Sequence, residues 1–275
     1  MIPSHPSGQT GSPEPRRDPE VDPDVDLDRF VPGIYNYCDR WCERCPMTAK
    51  CYVYWQEQQA KAEHRAAGRD PDDWAMVLDD VKEKFEQAGR LLREAAEEQG
   101  WHLDDVPDAE PTRPDPSEHP LHRRAEAYTV AAHAFVTDFR RRVVREGKVL
   151  EERAKVVDPE RAASAFRTIL DACEVLSWYH TLIPAKVHRA LSSKMEAEED
   201  EEGRSFHWCD ALGSARVARQ GVVRSMAALR DAYDWDTSLE DQVIPLLVDL
   251  GWMRNQIEET FPGCQDFKRP GFEAE

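Results

Sequence analysis

The sequence predicts an all-α protein: a helical bundle of about five long helices with a small four-cysteine metal module near its N-terminus. Apolar residues recur at spacings of three and four over several long segments, which is the period of an amphipathic helix. No persuasive alternation of apolar and polar residues and no Asn-Gly pair predicts a strand or hairpin. Four of the seven cysteines lie within residues 38–51, and such a cluster is typical of a metal site.

The composition restricts the classes of partner. The chain has 275 residues and a formal net charge of -18, which opposes nonspecific binding to nucleic acid because phosphates attract Lys and Arg. No apolar run approaches the roughly 20 residues of a membrane span, and the N-terminus lacks the apolar core of a signal peptide. We therefore expect a cytoplasmic protein that binds neither nucleic acid nor membrane and that acts with a protein partner or as a homo-oligomer.

The N-terminal part of the chain divides into three segments. Residues 1–28 are predicted to be a disordered acidic tail, because six prolines and seven acidic residues leave too little apolar surface to repay ordering. Residues 29–67 are the predicted metal module, which ends in a helix of about residues 48–67. Residues 68–100 are predicted to form one long helix that ends at Gly100.

This long helix has start signals and a regular apolar stripe. Asp70 is the predicted N-cap and Pro71 the first helical residue. The apolar positions alternate spacings of four and three, which predicts one buried stripe of coiled-coil or bundle type. Its members are Trp74, Leu78, Val81, Phe85, Ala88, Leu92 and Ala95.

The remaining helices are predicted to form the bundle, over residues 121–262. Residues 101–120 precede it as a linker with five prolines, and residues 263–275 follow it as a C-terminal tail. The first two stripes of the bundle are Leu121, Ala125, Tyr128, Ala132, Phe135 and Phe139, and then Ala162, Phe166, Ile169, Cys173, Leu176, His180, Ile183 and Val187. Pro184 is expected to kink or break the second of these helices.

The segment from Phe206 to Tyr233 has two stripes, one of small and one of large apolar residues. A helix with both is expected to be central, because a neighbour can approach closely along the small face. The small stripe comprises Ala211, Ser214, Ala218, Gly221, Ser225, Ala228 and Ala232. The last helix is expected to start at a capping box of Thr237 and Glu240.

The clustered cysteines are predicted to hold one metal centre. Their spacing is Cys38-x3-Cys42-x2-Cys45-x5-Cys51. If residues 38–45 were helical, steps of four and three would place three thiols on one face. Pro46 predicts a turn there, followed by a helix that carries Cys51 in its first turn. One short segment would then surround the metal.

The identity of the metal has several interpretations. Structural zinc sites usually take their ligands as two separated pairs, whereas compact cysteine spacings that supply all four ligands are commoner in iron–sulfur proteins. The spacing therefore favours an iron–sulfur cluster, most readily [4Fe-4S], with zinc as the alternative. Disulfides are disfavoured in a reducing compartment, and four unliganded thiols are the remaining interpretation.

The segment CERCPMTAKC is similar to the cluster-binding signature of WhiB-like proteins, in which Cys-x2-Cys-Pro precedes a further cysteine ligand. Cys42, Cys45, Pro46 and Cys51 match that signature. The resemblance covers about ten residues and implies a [4Fe-4S] ligand set. It does not imply transcriptional regulation, because Cys38 is close by rather than far upstream and no basic tail follows.

The first three cysteines also have the spacing of the radical-SAM signature. Radical-SAM enzymes use a largely parallel β/α barrel, and this sequence predicts no strands from which to build one.

Two further sets of polar residues are candidates for a functional site. Cys173 and His180 share one predicted stripe, while His207, Cys209 and Asp210 lie together at a helix start, and core packing and capping account for both sets. Arg40, Arg44 and Lys50 are candidates to offset the charge of four thiolates. Aromatic residues around the cysteines would shield the centre or dock the module; they are Tyr35, Tyr37, Trp41, Tyr52, Tyr54 and Trp55.

The predicted function follows from the metal. We expect electron transfer or redox and iron sensing through the cluster. A zinc-stabilised helical interaction scaffold is the alternative from another class. A third is an enzyme with a pocket in the bundle, although Glu-x-x-His, Gly-x-Ser-x-Gly and phosphate-loop motifs do not occur in the chain.

Overall fold

The structure, a computed structural model, describes residues 26–101, 115–153 and 159–273. These residues form six α-helices and several short 3-10 turns, with no strand among them, so the predicted all-α class is confirmed. The described helices are α1 (Tyr52–Ala66), α2 (Trp74–Glu98), α3 (Pro120–Arg153), α4 (Pro159–Glu199), α5 (Arg204–Trp235) and α6 (Glu240–Thr260). Most of the predicted acidic tail and of the proline-rich linker lies outside the described residues.

The ends of α1 and α2 agree with the predictions better than their starts. Gly68 and Gly100, which follow these helices, both have φ of +72°, a value that glycine adopts readily. At the start of α2, however, the cap is Asp73, whose carboxylate accepts a hydrogen bond from the Ala75 N–H at 2.9 Å. Asp70 instead accepts from the Asp72 N–H and closes a turn, so the predicted cap was wrong by three residues.

Four helices pack together as a bundle. α4 makes its most extensive contact with α5. In addition, α3 contacts α4, α6 contacts α5, and α3 and α6 contact each other. The predicted number of about five helices in the bundle is therefore not confirmed. The assigned helices α4 and α6 continue through Pro184 and Pro245, so Pro184 does not break α4. All six predicted stripe residues of α3 are at most 4% exposed.

The small stripe of α5 is fully buried, as predicted, and two glycines of α5, Gly221 in this stripe and Gly213 outside it, each have a close neighbour. A Cβ atom at Gly221 would lie 2.8 Å from Cδ1 of Tyr179 on α4, so glycine is what lets these helices approach. A Cβ atom at Gly213 would lie 2.3 Å from Cδ1 of Tyr37, in the cysteine segment. Two buried glycines of α5 therefore allow the close approach of both α4 and the segment that carries the cysteines.

The stripe of α2 is the main departure from the predicted packing. The helix forms, but Trp74, Leu78, Phe85 and Leu92 are 77%, 63%, 76% and 66% exposed. The expectation that this stripe is buried was wrong for the single chain. Periodicity determines that one face of a helix is apolar, whereas burial depends on a second element that covers the face.

The segment predicted as a C-terminal tail packs closely over its described part. Cys264 is 1% exposed, and the ring of Phe267 contacts the ring of Tyr37 edge-on, with 5.0 Å between centroids. Phe272 reaches the cysteines. In the described part of the chain, no helix has the length and apolarity needed to cross a membrane.

A substitution at Gly213 of α5 gives a direct test of this packing. Gly213→Ala should lower the free energy of unfolding by about 1–3 kcal/mol, because the added methyl group overpacks against the Tyr37 ring. Gly251→Ala on α6 is the matched control, since its Cβ atom would meet nothing within 4 Å. Denaturant unfolding of both variants measures the difference. Equal stability of the two variants would contradict the close approach at Gly213.

Candidate metal centre

All four predicted cysteine ligands line one small cavity. Each of these cysteines is half-buried. The other walls are largely apolar and aromatic and include residues from both ends of the described chain. They comprise Ile34, Tyr35, Asp39, Arg40, Trp41, Met47, Thr48, Tyr54 and Phe272.

The local backbone differs from the predicted helical turns. Cys42 begins a short 3-10 helix, Cys42–Arg44, and a second one covers Thr48–Lys50. Cys51 has extended φ and ψ of -105° and 113° and is the N-cap of α1 rather than part of its first turn. Arg40 has φ of 58°, in the left-handed region that side chains rarely adopt. The cysteines therefore reach the same cavity through a folded loop and not along one helix face.

The loop is attached to α4 by stacked aromatic rings. Trp41, which is 9% exposed, belongs to the main hydrophobic core and stacks on Trp178 with 5.3 Å between ring centroids. The guanidinium of Arg44 also lies over the Trp41 ring, 4.1 Å from its centroid, and pairs with Asp171 and Glu174 of α4. Arg44 is thus compensated by carboxylates, so its charge is already engaged away from the thiols.

Asp39, next to Cys38 in the sequence, provides a polar attachment to the same region. Its backbone oxygen accepts a hydrogen bond from Trp178 Nε1 at 2.9 Å. Its carboxylate accepts from the Tyr179 hydroxyl at 2.5 Å and from Arg224 at 2.9 Å. Sequence reasoning missed Asp39, because nothing local indicates that its partners are about 140 and 185 residues away.

A third attachment joins Tyr37 to α4 and α5. Burial, together with the neighbouring charge of Asp210, raises the pKa of Tyr37 to about 12. Asp210 accepts hydrogen bonds from Arg189 Nε at 2.9 Å and from Ser193 Oγ at 2.8 Å. Asp210 therefore takes part in holding the cysteine segment, a role that its position beside Cys209 did not reveal.

The thiols influence one another electrostatically. Burial raises the pKa of the Cys42 thiol to about 11, with smaller contributions from Glu57 and from the other three thiols. Burial also raises the pKa of Cys45. The Met47 N–H donates to Cys45 Sγ at 3.4 Å and lowers this pKa, but its effect is smaller than that of burial. Thiolates are the form that binds metal, so a bound cation would have to displace these protons and offset the mutual repulsion.

Lys186 of α4 is a nearby basic residue that sequence reasoning did not identify. It is 9% exposed; burial and the charge of Arg189 lower its pKa, whereas the charge of Cys38 raises it. A lysine on the buried side of a helix was the available signal. Of the basic residues that the sequence offered, Arg40 lines the cavity. The Lys50 side chain is exposed, and its backbone oxygen accepts a hydrogen bond from the Val31 N–H at 3.0 Å.

The aromatic residues divide between the two predicted roles. Tyr35, Trp41 and Tyr54 line the cavity, and Trp41 also docks the loop on α4. Tyr52 and Trp55 instead stack on each other at 5.7 Å. Both also contact Phe30. Shielding and docking are thus served by overlapping sets of rings.

The other predicted pairs do not form sites of their own. The hydrogen-bond partner of His180 Nε2 is Nδ1 of His133, at 3.3 Å, and not Cys173. His207 pairs with Glu196 at 3.1 Å and Asp200 at 3.3 Å. Within the described ranges, no three His, Cys, Asp or Glu side chains have the arrangement of a site for a metal ion.

Comparisons with protein-family models, with curated proteins and with solved structures found no match to this chain.

The attachment at Asp210 predicts a dependence of stability on pH. Burial alone would raise the pKa of Asp210, but the hydrogen bonds from Arg189 and Ser193 outweigh it, so the pKa is lowered. A lowered carboxyl pKa stabilises the fold above the unfolded value of about 3.9 and loses that contribution as the pH falls. Asp210→Asn should therefore flatten the loss of unfolding free energy between neutral pH and acid.

Asp231→Asn is the control for this titration. Burial and the charges of Asp234 and Asp171 raise the pKa of Asp231, so its removal should steepen the same curve instead. Unfolding in denaturant at a series of pH values measures both slopes. Parallel curves for wild type and Asp210→Asn would mean that Asp210 has no role in holding the segment.

Proposed function

We propose that the chain binds a [4Fe-4S] cluster through Cys38, Cys42, Cys45 and Cys51 and acts in electron transfer or in redox and iron sensing. The observation that carries this proposal is that all four thiols line one cavity with mainly aromatic and apolar walls. Iron–sulfur clusters take four thiolate ligands, and burial and hydrogen bonds to sulfur tune their potentials. The WhiB-like spacing of three of these cysteines agrees with the same ligand set.

The residues around the cavity have definable roles in this proposal. The bound cluster would supply one reversible one-electron centre. Phe272 and Trp41 restrict access of water to the thiols, and the Met47 N–H stabilises negative charge on Cys45 Sγ. Trp41 and Trp178 form a stacked pair that leads from the cavity to the half-buried face of α4. We propose this face as the route to a redox partner.

The module as a whole, residues 29–67, is proposed as the metal-binding unit of a cytoplasmic protein. All seven cysteines lie in the described ranges and are free thiols, so the four proposed ligands are available to a metal. Zinc in the same four-cysteine site is the second candidate, because the ring stacking and hydrogen bonds of residues 37–44 would suit a structural role equally well.

Metal content separates the two candidates. Protein purified without oxygen should be brown and should contain iron and acid-labile sulfide, because four thiolates in one compact segment suit a cluster. Cys42→Ser should lose most of this metal, as should the equivalent change at each of the other three ligands. Cys209→Ser, an exposed cysteine outside the cavity, should keep it. If the protein is colourless and contains one zinc per chain, the cluster proposal is wrong and the zinc scaffold takes its place.

Removal of the metal should affect the module much more than the bundle. Chelation or oxidation should make residues from about 30 to 60 sensitive to protease, since metal binding contributes about 10–16 kcal/mol to small zinc modules. Helical circular dichroism should fall only slightly, because α3 to α6 have their own buried core. Cys264→Ser, outside the cavity, should show the same response to chelation as wild type.

A redox function requires more than retention of metal. Cycles of reduction and reoxidation should change the visible spectrum reversibly and alter hydrogen exchange at the backbone amides of the aromatic residues around the cavity, such as Tyr54. If both readouts stay constant through the cycle in iron-loaded protein, the chain has a structural metal and no redox role.

A further inference from the structure

The exposed stripe of α2 is the largest apolar feature that the proposed metal centre does not use. Its seven members are all exposed, and four of them are large side chains more than 60% exposed. Patches of this kind on soluble proteins mark surfaces that bind a partner. Val77 and Leu91 beside the stripe are also exposed, at 37% and 38%. A free α2 would therefore be costly in water.

The shape of the stripe restricts the kind of partner. Spacings that alternate between four and three average 3.5 residues, which is the narrow seam of a coiled coil rather than a wide face. α2 has 25 residues and is therefore about 37 Å long. A single helix of similar length covers such a seam completely.

The order of large and small residues along the seam favours a second copy of α2 running in the opposite direction. With Phe85 placed against Ala88 of the second copy, the same register places Leu78 against Ala95. It also places Val81 against Leu92. The pairings of Phe85 with Ala88 and of Leu78 with Ala95 each join a large residue to a small one, which fills the seam without crowding. A parallel pair would instead place Phe85 on Phe85 and Ala88 on Ala88, with overpacking in one layer and a void in the next.

The charges beside the seam favour the same register. Lys82 and Lys84 border the stripe on its two sides. With Phe85 against Ala88, these lysines lie across from Gly89 and Leu91 of the second copy. In the neighbouring antiparallel register, with Phe85 against Val81, each lysine would face its own counterpart. Like charges in contact disfavour that register.

We propose that α2 forms an antiparallel two-stranded coiled coil with α2 of a second copy of this chain, with Phe85 of each copy against Ala88 of the other. The arrangement has a two-fold axis and so closes as a dimer. Trp74 then lies at the C-terminal end of the opposite helix, close to which Trp101 is 67% exposed. This proposal does not rest on the metal centre.

An exchange of residue sizes tests the pairing. The full-length chain should sediment as a dimer, and Phe85→Ala and Ala88→Phe should each raise the dimer dissociation constant by about tenfold or more, which corresponds to about 1.4 kcal/mol. The double variant should recover most of the wild-type affinity, because it restores one large and one small residue in each central layer. Val130→Ala on α3, which is 74% exposed outside the stripe, should leave dimerisation unchanged. Circular dichroism confirms that each variant is folded.

Direction is tested with a photoreactive benzophenone side chain in place of Leu78. Irradiation should give covalent dimers in which the crosslink falls on the peptide that follows Arg93 and contains Ala95. A crosslink to residue 78 of the second copy would overturn the antiparallel arrangement. A chain that remains monomeric at tens of micromolar, or that crosslinks only within itself, would overturn the proposal altogether.

Discussion

Two missing side chains on α5 determine where the rest of the structure can lie. At Gly221 the absence of a Cβ atom lets the Tyr179 ring of α4 come within contact of the α5 backbone, and at Gly213 it does the same for Tyr37 of the cysteine segment. The packing of α4 on α5 and the docking of the cysteine loop thus depend on two glycines of one helix. Because both glycines are buried, any larger side chain at either position must move a neighbour.

The cavity of the cysteines inherits its position from this packing. Tyr37 contacts α5 and the C-terminal Phe267, Asp39 bonds to Tyr179 and Arg224, and Trp41 stacks on Trp178. These contacts alternate along the chain with the cysteines, so the loop cannot shift relative to α4 without moving the thiols. A change of charge at the proposed cluster would consequently be felt by Asp39 and by the helices to which it bonds.

The proposed centre and the proposed dimer helix lie on different parts of the chain. The cysteines are attached to the bundle through Asp39 and Trp41, whereas α2 is linked to α1 by a hydrogen bond between His64 Nε2 and Asp80 Oδ1 of 2.9 Å. α1 begins immediately after Cys51, so one helix joins the two. We therefore propose that the chain combines a metal site supported by its own core with an apolar helix that obtains its packing partner from a second copy.

The sequence by itself determined the helical class, the buried faces of the bundle helices and the four thiols, because these depend on local periodicity and on spacing along the chain. The stripe from Leu121 to Phe139 and the small face of α5 are buried as predicted. The start of α2 is a local competition between Asp70 and Asp73 as cap, and the sequence pattern did not separate the two. Only the tertiary structure decided the exposure of the α2 stripe. The same is true of Asp39, Lys186 and Phe272 beside the thiols. Their roles come from contacts between residues far apart in the chain, and such contacts leave no periodic signal in the sequence.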